Sequence, residues 1–194
     1  MVKVEKLILR GKEFIIRNFC EDDLCRPDKF LAYINNLIDD PSAMIPLRVK
    51  KTLEQEKEWL TDMLSIVMLS RMVILVAECD DRIVGGAEIS LCHERKEHIA
   101  EFSISIIKDY RRCGLGSFLL SKIIDMAESL KPKPTTIRLS VFSSNKHAIA
   151  LYQKHGFKMI ARIPNQFEFG GQLIDEIIML KIMKKGGEKY GNSS

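Results

Sequence analysis

Ala100-Glu101-Phe102-Ser103-Ile104-Ser105-Ile106 runs, after a short linker, into Arg111-Arg112-Cys113-Gly114-Leu115-Gly116-Ser117, and the reading of these two segments decides the fold. Even positions from 100 to 106 are apolar and odd positions polar, the period of a strand with one buried face. Beyond the glycines, Leu119, Leu120, Ile123, Ile124, Ala127 and Leu130 recur at helical spacing, which predicts a helix over 117–130. A strand therefore feeds a basic, glycine-bearing turn that opens a helix. Gly114 and Gly116 allow close backbone approach, and the first-turn N–H groups lack intrahelical partners. The helix dipole adds positive potential there. Arg111 and Arg112 add charge, so the turn suits a polyphosphate. It carries neither the Gly-Lys-Ser/Thr of a Walker loop nor a G-x-G-x-x-G fingerprint.

Working outward, Asn145 to Phe157 forms a second patterned run. Its helix starts near Asn145, buries Ala148, Leu151 and Tyr152, and stops at Gly156. Upstream, segments 6–10 and 13–17 flank Gly11 as a hairpin. Pro27 opens a helix with Phe30, Leu31, Ile34, Leu37 and Ile38 on one face. Thr52 and Gln55 form a capping box ahead of Trp59, Leu60, Met63, Leu64, Val67 and Met68, and Met68 is expected in the core. Segments 73–78 and 83–91 read as strands about the turn Asp80-Asp81-Arg82. The pair Gly85-Gly86 marks a bulge or a close approach. Strands follow at 137–142, 157–163 and 173–182, the last two separated by Phe169-Gly170-Gly171-Gln172.

At 194 residues, with 46% hydrophobic and 29% charged residues, the chain has the composition of one globular domain, expected over residues 1–183. The polar, glycine-rich tail 184–194 is expected to be disordered. A net charge of +4 and the scatter of the basic residues give no footprint for nucleic acid. Five cysteines without a C-x-x-C pair read as reduced thiols with no metal site. No apolar run is long enough to span a membrane, and the first residues carry no secretory h-region, so a cytoplasmic setting is expected.

Arg111-x-x-Gly114-x-Gly116, together with Asn145-x-x-Ala148-x-x-Leu151-Tyr152-x-Lys154-x-Gly156-Phe157, resembles the two linked motifs of the GNAT superfamily of N-acetyltransferases. The resemblance implies an α/β fold of the α+β type. Its mixed, mostly antiparallel sheet would have about four flanking helices and central strands, near 99–107 and 136–142, that splay apart after a bulge near Ile107. It implies acetyl-CoA as cosubstrate and no metal. The backbone of Ile104, Ser105 and Ile106 would pair with the pantetheine arm. The segment Arg111, Arg112, Cys113, Gly114, Leu115, Gly116 and Ser117 would hold the pyrophosphate. Asn145 would contact the arm, and Tyr152 would act on the sulfur as general acid.

For the base, Glu101 on the polar face of the central strand comes first and Glu88 on its neighbour second. Ser140 stands where relatives that acetylate protein N-termini often carry a glutamate, and residues 163–167 lack the tyrosine pair of those relatives. The implied activity is direct acetyl transfer to a primary amine, with a small amine or polyamine ahead of protein N-termini or lysines. A homodimer is compatible with it. A silent acyl-CoA-binding module is the reading from a different class, and retention of Tyr152 speaks against that one.

Overall fold

Two tight turns in left-handed backbone start the sheet. In the computed structural model, which describes residues 4–183, Arg10 and Gly11 (φ 48° and 78°) reverse β1 (Val4–Leu9) into β2 (Lys12–Asn18). Asp80 and Asp81 (φ 50° and 62°) do the same between β3 (Met72–Cys79) and β4 (Arg82–Leu91). Two successive residues of positive φ match the right-handed twist of the strands they join. With β5 (Ile99–Ile106), β6 (Thr136–Phe142), β7 (Lys158–Phe169) and β8 (Gln172–Ile182), they form one eight-stranded sheet in the order β1-β2-β3-β4-β5-β6-β8-β7. Every pairing is antiparallel except the central one, β5 with β6.

That parallel pairing is brief. It holds Ile99, Ala100 and Glu101 against Thr136, Ile137 and Arg138, and then stops. The splay therefore begins at Phe102, several residues ahead of the expected position near Ile107. The bulge lies elsewhere too: Val84 is the extra residue where Ala77 and Glu78 oppose Gly85 and Ile83. Beside it Gly85 has no room for a side chain, since a Cβ would sit 3.3 Å from Ile106 Cγ1 and 3.4 Å from the Ser105 carbonyl.

Four helices cover the sheet: α1 (Pro27–Asp39), α2 (Leu53–Met68), α3 (Leu115–Met126) and α4 (Lys146–Lys154). The face carrying Leu75, Ala87, Ile89, Ala100, Phe102, Ile137, Leu139 and Met179 buries against Leu119, Leu120 and Ile123 of α3 and Tyr152 of α4. Met72, Ile74 and Val76 on the opposite face pack on Phe30 of α1 and Leu60 of α2. By register Glu88, Glu101, Ser103, Arg138, Ser140 and Glu176 share this second face. Here Glu101, Ser103 and Ser140 are exposed.

Some expectations change. Met68 is 76% exposed rather than core; it is the last residue of α2, followed by Leu69 at 68% exposure. The capping box is present as read, with Thr52 Oγ1 accepting from Gln55 N–H at 3.3 Å and Gln55 Oε1 from Thr52 N–H at 3.0 Å. Helix α3 starts at Leu115, two residues early, and ends at Met126 in a 3₁₀ turn over Ala127–Ser129. Strand β7 continues to Phe169, absorbing Pro164 and its neighbours as a bulge on the sheet edge, and the β7–β8 turn shrinks to Gly170-Gly171. The tail 184–194 lies outside the described residues.

A buried charge cluster fixes α1 to the sheet. Arg17 on β2 donates to both oxygens of Asp23 at 2.8 and 2.7 Å, and its Nε donates to Glu78 on β3 at 3.0 Å. Arg26, just before α1, adds a bond to Asp23 at 2.8 Å. Arg17→Ala leaves two buried carboxylates with too little positive charge, and should cost about 3–5 kcal/mol. Urea unfolding reads this directly; a loss below about 1 kcal/mol would mean that water relieves the cluster.

Candidate active site

The turn before α3 is built from backbone rather than side chains. Arg112 (φ 58°) and Gly114 (φ 104°) both adopt left-handed backbone, and the first helical bond runs from Phe118 N–H to Gly114 C=O. Among the described residues, none of the N–H groups from Arg112 to Ser117 meets an acceptor. A non-glycine residue held at positive φ stores strain, and here it turns successive N–H groups to one side as an anion-binding concavity. Gly116 serves packing as well, since a Cβ there would lie 3.3 Å from Ile106 Cδ1. The donors and the local conformation fit a pyrophosphate.

The side chains of this turn do other work. Leu115 is fully buried in the core, and Cys113 donates its thiol to the Tyr110 carbonyl at 3.1 Å. Arg112 reaches His147 on the first turn of α4 at 2.7 Å, joining the two helix starts. Ser117 meets His155 Nε2 at 3.2 Å, while His155 Nδ1 lies 2.9 Å from the Leu151 carbonyl. A carbonyl only accepts, so Nδ1 carries the hydrogen and Nε2 accepts from Ser117.

The Arg111 side chain is engaged within the protein. Its Nε donates to the Ile106 carbonyl at 2.7 Å, and its other nitrogens bond Ser42 at 2.9 Å and Asp40 at 2.7 Å. Partial burial works against the Asp40 carboxylate, yet hydrogen bonds from Ser42 and the nearby guanidinium hold its pKa below the usual carboxylate range. Arg111 thus ties the segment after α1 to the end of β5. Two residues on from Ser42, Met44 sulfur accepts from Ser144 Oγ at 3.6 Å, just past β6. Residues 40–44 therefore bridge the open end of the splay.

Hydrogen-bond phase decides which β5 groups face the gap. Ile107 N–H bonds the Val84 carbonyl at 3.0 Å, so Ser103 and Ser105 direct their backbone to β4, while Ile104 and Ile106 direct theirs toward β6. Ser105 is thereby removed from the expected backbone contacts. Its carbonyl instead accepts from the Tyr33 hydroxyl at 2.9 Å, with the two hydroxyls 2.6 Å apart. Burial pushes the Tyr33 phenol well above its usual value. Sequence reasoning missed Tyr33. It occurs three residues after Phe30 at the edge of the apolar stripe, where a tyrosine signals a buried ring with a polar tip.

Tyr152 lies on the α3/α4 side, 6% exposed, its ring edge-on to Phe102 with centroids 6.0 Å apart. Phe102 is the first residue beyond the paired stretch, so Tyr152 sits where the strands part. Its hydroxyl has no hydrogen-bond partner among the described residues, and burial pushes its pKa up to about 12. Asn145 caps α4 by accepting from Ala148 N–H at 3.2 Å, which leaves its amide hydrogens for a ligand.

The two candidate bases separate clearly. Glu101 is exposed and lies in the stretch still closed by β6, opposite Arg138. Its place on the polar face of the central strand is as expected, without burial to raise its basicity. Glu88 is half-buried on β4, one strand from the gap, accepts from Ser103 Oγ at 2.9 Å, and has its pKa raised by burial against that hydrogen bond.

A splayed parallel pair, an amide-lined helix start and a buried tyrosine define an acyltransferase cleft. The chain belongs to the acetyltransferase (GNAT) family, whose sequence profile matches residues 35–157, and it is an N-acetyltransferase. Over 109 residues it is 28% identical to the L-amino acid N-acetyltransferase AaaT of Escherichia coli, covering 56% of this chain and 67% of that protein. Over 78 residues it is 40% identical to the ribosomal protein bS18-alanine N-acetyltransferase of Escherichia coli, spanning 40% of this chain and about half, 51%, of that protein. Among solved structures, a GNAT-family acetyltransferase from Streptococcus pneumoniae superposes with a TM-score of 0.75 at 25% identity, covering 88% of this chain and 99% of that one. The fold is shared with the Salmonella typhimurium protein yncA, solved with acetyl-CoA (TM-score 0.72, 19% identity, 90% and 96% coverage).

Gly114→Glu puts negative charge and a strained φ where the free N–H groups converge. Coenzyme A affinity should fall at least tenfold by calorimetry, about 1.4 kcal/mol. Unchanged binding by a folded variant would place the pyrophosphate elsewhere.

Proposed function

We propose that the chain transfers the acetyl group of acetyl-CoA directly to the primary amine of a small amine or polyamine, within a ternary complex. One observation carries this reading: the gap between β5 and β6 has the hydroxyl of the largely buried Tyr152, free of a partner among the described residues, on its α3/α4 side and the half-buried Glu88 carboxylate on the other face. The amides of Arg112 to Ser117 hold the pyrophosphate, and the gap-facing backbone of Ile104 and Ile106 with the Asn145 amide lines the arm. Acetyl-CoA, when bound, supplies the thioester.

An alkylammonium, with a reference pKa of about 10.4, must lose a proton before it can attack. Glu88 receives that proton, taking the role that strand alternation first gave to Glu101. Burial raises its pKa, which makes it a stronger base than an exposed carboxylate. Tyr152 meets the departing sulfur. A phenol pushed to about 12 is too weak an acid to protonate a thiolate of pKa about 8.5, the mismatch being about 5 kcal/mol. Tyr152 therefore acts as a neutral hydrogen-bond donor that stabilises the thiolate.

A protein amine is the second reading, supported by the similarity to the ribosomal-protein alanine acetyltransferase. Ser140 and the residues Ile163 to Phe167 weigh against it. A panel of polyamines, amino acids and peptide N-termini incubated with acetyl-CoA and read by mass spectrometry tests both. Products on peptides alone would select the second reading, and no product with coenzyme A still bound would select a silent binding module.

Two kinetic outcomes are expected with a working amine. Tyr152→Phe should lower kcat by about 10²-fold with acetyl-CoA binding intact, since only the late charge loses its donor; an unchanged kcat would reduce Tyr152 to packing. The acid limb of kcat/KM should lie above the ordinary carboxylate range, because Glu88 must be deprotonated and burial raises its pKa. Glu88→Gln should abolish that limb and be partly rescued at high pH, where solvent supplies neutral amine. Glu101→Gln should follow the wild type; the reverse pattern would restore Glu101 as the base.

A further inference from the structure

Three serine hydroxyls border the gap on the face that carries Glu88. Ser103 and Ser105 follow Glu101, the last β5 residue paired with β6, and Ser140 follows Arg138, the last β6 residue paired with β5. Register puts all three on one face of the sheet. Ser103 Oγ donates its hydrogen to Glu88 at 2.9 Å, and Ser140 Oγ donates to Glu176 on β8. Ser105 has a phenol as its partner instead, and that difference has a chemical use.

Tyr33 Oη stands 2.9 Å from the Ser105 carbonyl and 2.6 Å from Ser105 Oγ. It lies above Gly86, the β4 residue opposite Ser105, where a Cβ would come within 3.6 Å of it. A phenol has one hydrogen and a carbonyl oxygen has none. If Tyr33 gave its hydrogen to Oγ, it would face the carbonyl at 2.9 Å with lone pairs on both sides. Both contacts are attractive in one arrangement alone: Tyr33 donates to the carbonyl, and Ser105 Oγ donates to Tyr33. Burial keeps the phenol neutral, with Glu88 and Arg111 acting on it in opposite senses. Ser105 Oγ is thus left with acceptor capacity only, beside the gap.

An amine ready to attack carries N–H donors and one lone pair. A hydroxyl able to donate competes for that lone pair, which is the nucleophile. A hydroxyl that only accepts takes an N–H and leaves the lone pair free. We propose that Ser105 accepts an N–H of the attacking amine and so turns its lone pair toward the thioester carbonyl, with Tyr33 as the positioning residue that holds the Ser105 hydrogen away. The inference rests on the acetyltransferase reading above and is independent of which amine reacts. As the carbon–nitrogen bond forms the nitrogen becomes positive, so its bond to Ser105 strengthens toward the tetrahedral intermediate. The carbon–sulfur bond then breaks. Of the two protons the nitrogen sheds, Glu88 receives the first before attack and the departing thiolate the second. Ser105 keeps its own proton throughout.

Steady-state kinetics with acetyl-CoA and putrescine, or with the fastest-reacting amine of the panel above, test this. Ser105→Ala should lower kcat about tenfold or more, with coenzyme A affinity and KM for acetyl-CoA within about twofold of wild type. The loss should persist at high pH, where Glu88→Gln recovers. Tyr33→Phe frees the Ser105 hydrogen and should lower kcat about threefold. Added to Ser105→Ala it should cost nothing further, because the group it positions is gone. Losses that multiply in the double variant would make Tyr33 a tie between α1 and β5 and overturn the proposal. So would a wild-type kcat in Ser105→Ala, or weakened acetyl-CoA binding in that variant. Recovery of Ser105→Ala at high pH would overturn it as well, by assigning Ser105 to deprotonation of the amine. Should Tyr33→Phe fail to fold, Ser105→Ala decides alone. If wild type binds coenzyme A but acetylates no amine, it is the acetyltransferase reading that fails, and this inference with it.

Discussion

The structure depends on a strand pairing that stops. β5 and β6 run parallel, share three residue pairs and then diverge, which leaves the gap-facing N–H and C=O groups of Ile104 and the N–H of Ile106 without a neighbouring strand, while the Ile106 carbonyl is taken by Arg111. Unpaired backbone inside a sheet is costly unless something else bonds to it. An extended ligand arm carrying amides satisfies that need as an added strand would. The flanking strands keep the gap open, because β4 and β8 remain fully paired on its two sides.

Arg111 shows how the fold distributes its charges. A basic residue at a phosphate turn invites the reading of a ligand contact, yet its guanidinium is spent on Ile106, Ser42 and Asp40. In the proposed reading, phosphate recognition falls to backbone amides, which are fixed in place and need no side-chain ordering on binding. The arginine in turn connects cofactor turn, gap edge and the segment that bridges the acceptor entrance.

The sheet also divides the chemistry between its faces. The α3/α4 face supplies amides and a buried phenol, both suited to negative charge on the leaving side. The opposite face supplies carboxylates suited to an incoming ammonium. Helices α1 and α2 pack on β3 and β4, so the polar residues of β5, β6 and β8 keep an open side. In the proposed mechanism, hydrogen-bond donor and base thus approach the reacting atoms from opposite directions, with a different electrostatic environment for each.

Local pattern in the sequence was enough for the two-residue turns, the capped helices, the amide-lined start of α3 and the burial of Tyr152. Each follows from neighbours in the chain, through backbone conformation or apolar period. Met68 shows where that information ends: helical spacing marks a stripe but not the edge of the surface it packs against. The length of the β5–β6 pairing, the greater burial of Glu88 than of Glu101 and the partnership of Ser140 with Glu176 all depend on residues distant in sequence. Those were decided by register across strands, which sets the neighbours of each polar side chain and how much water it keeps, and no single segment carries that information.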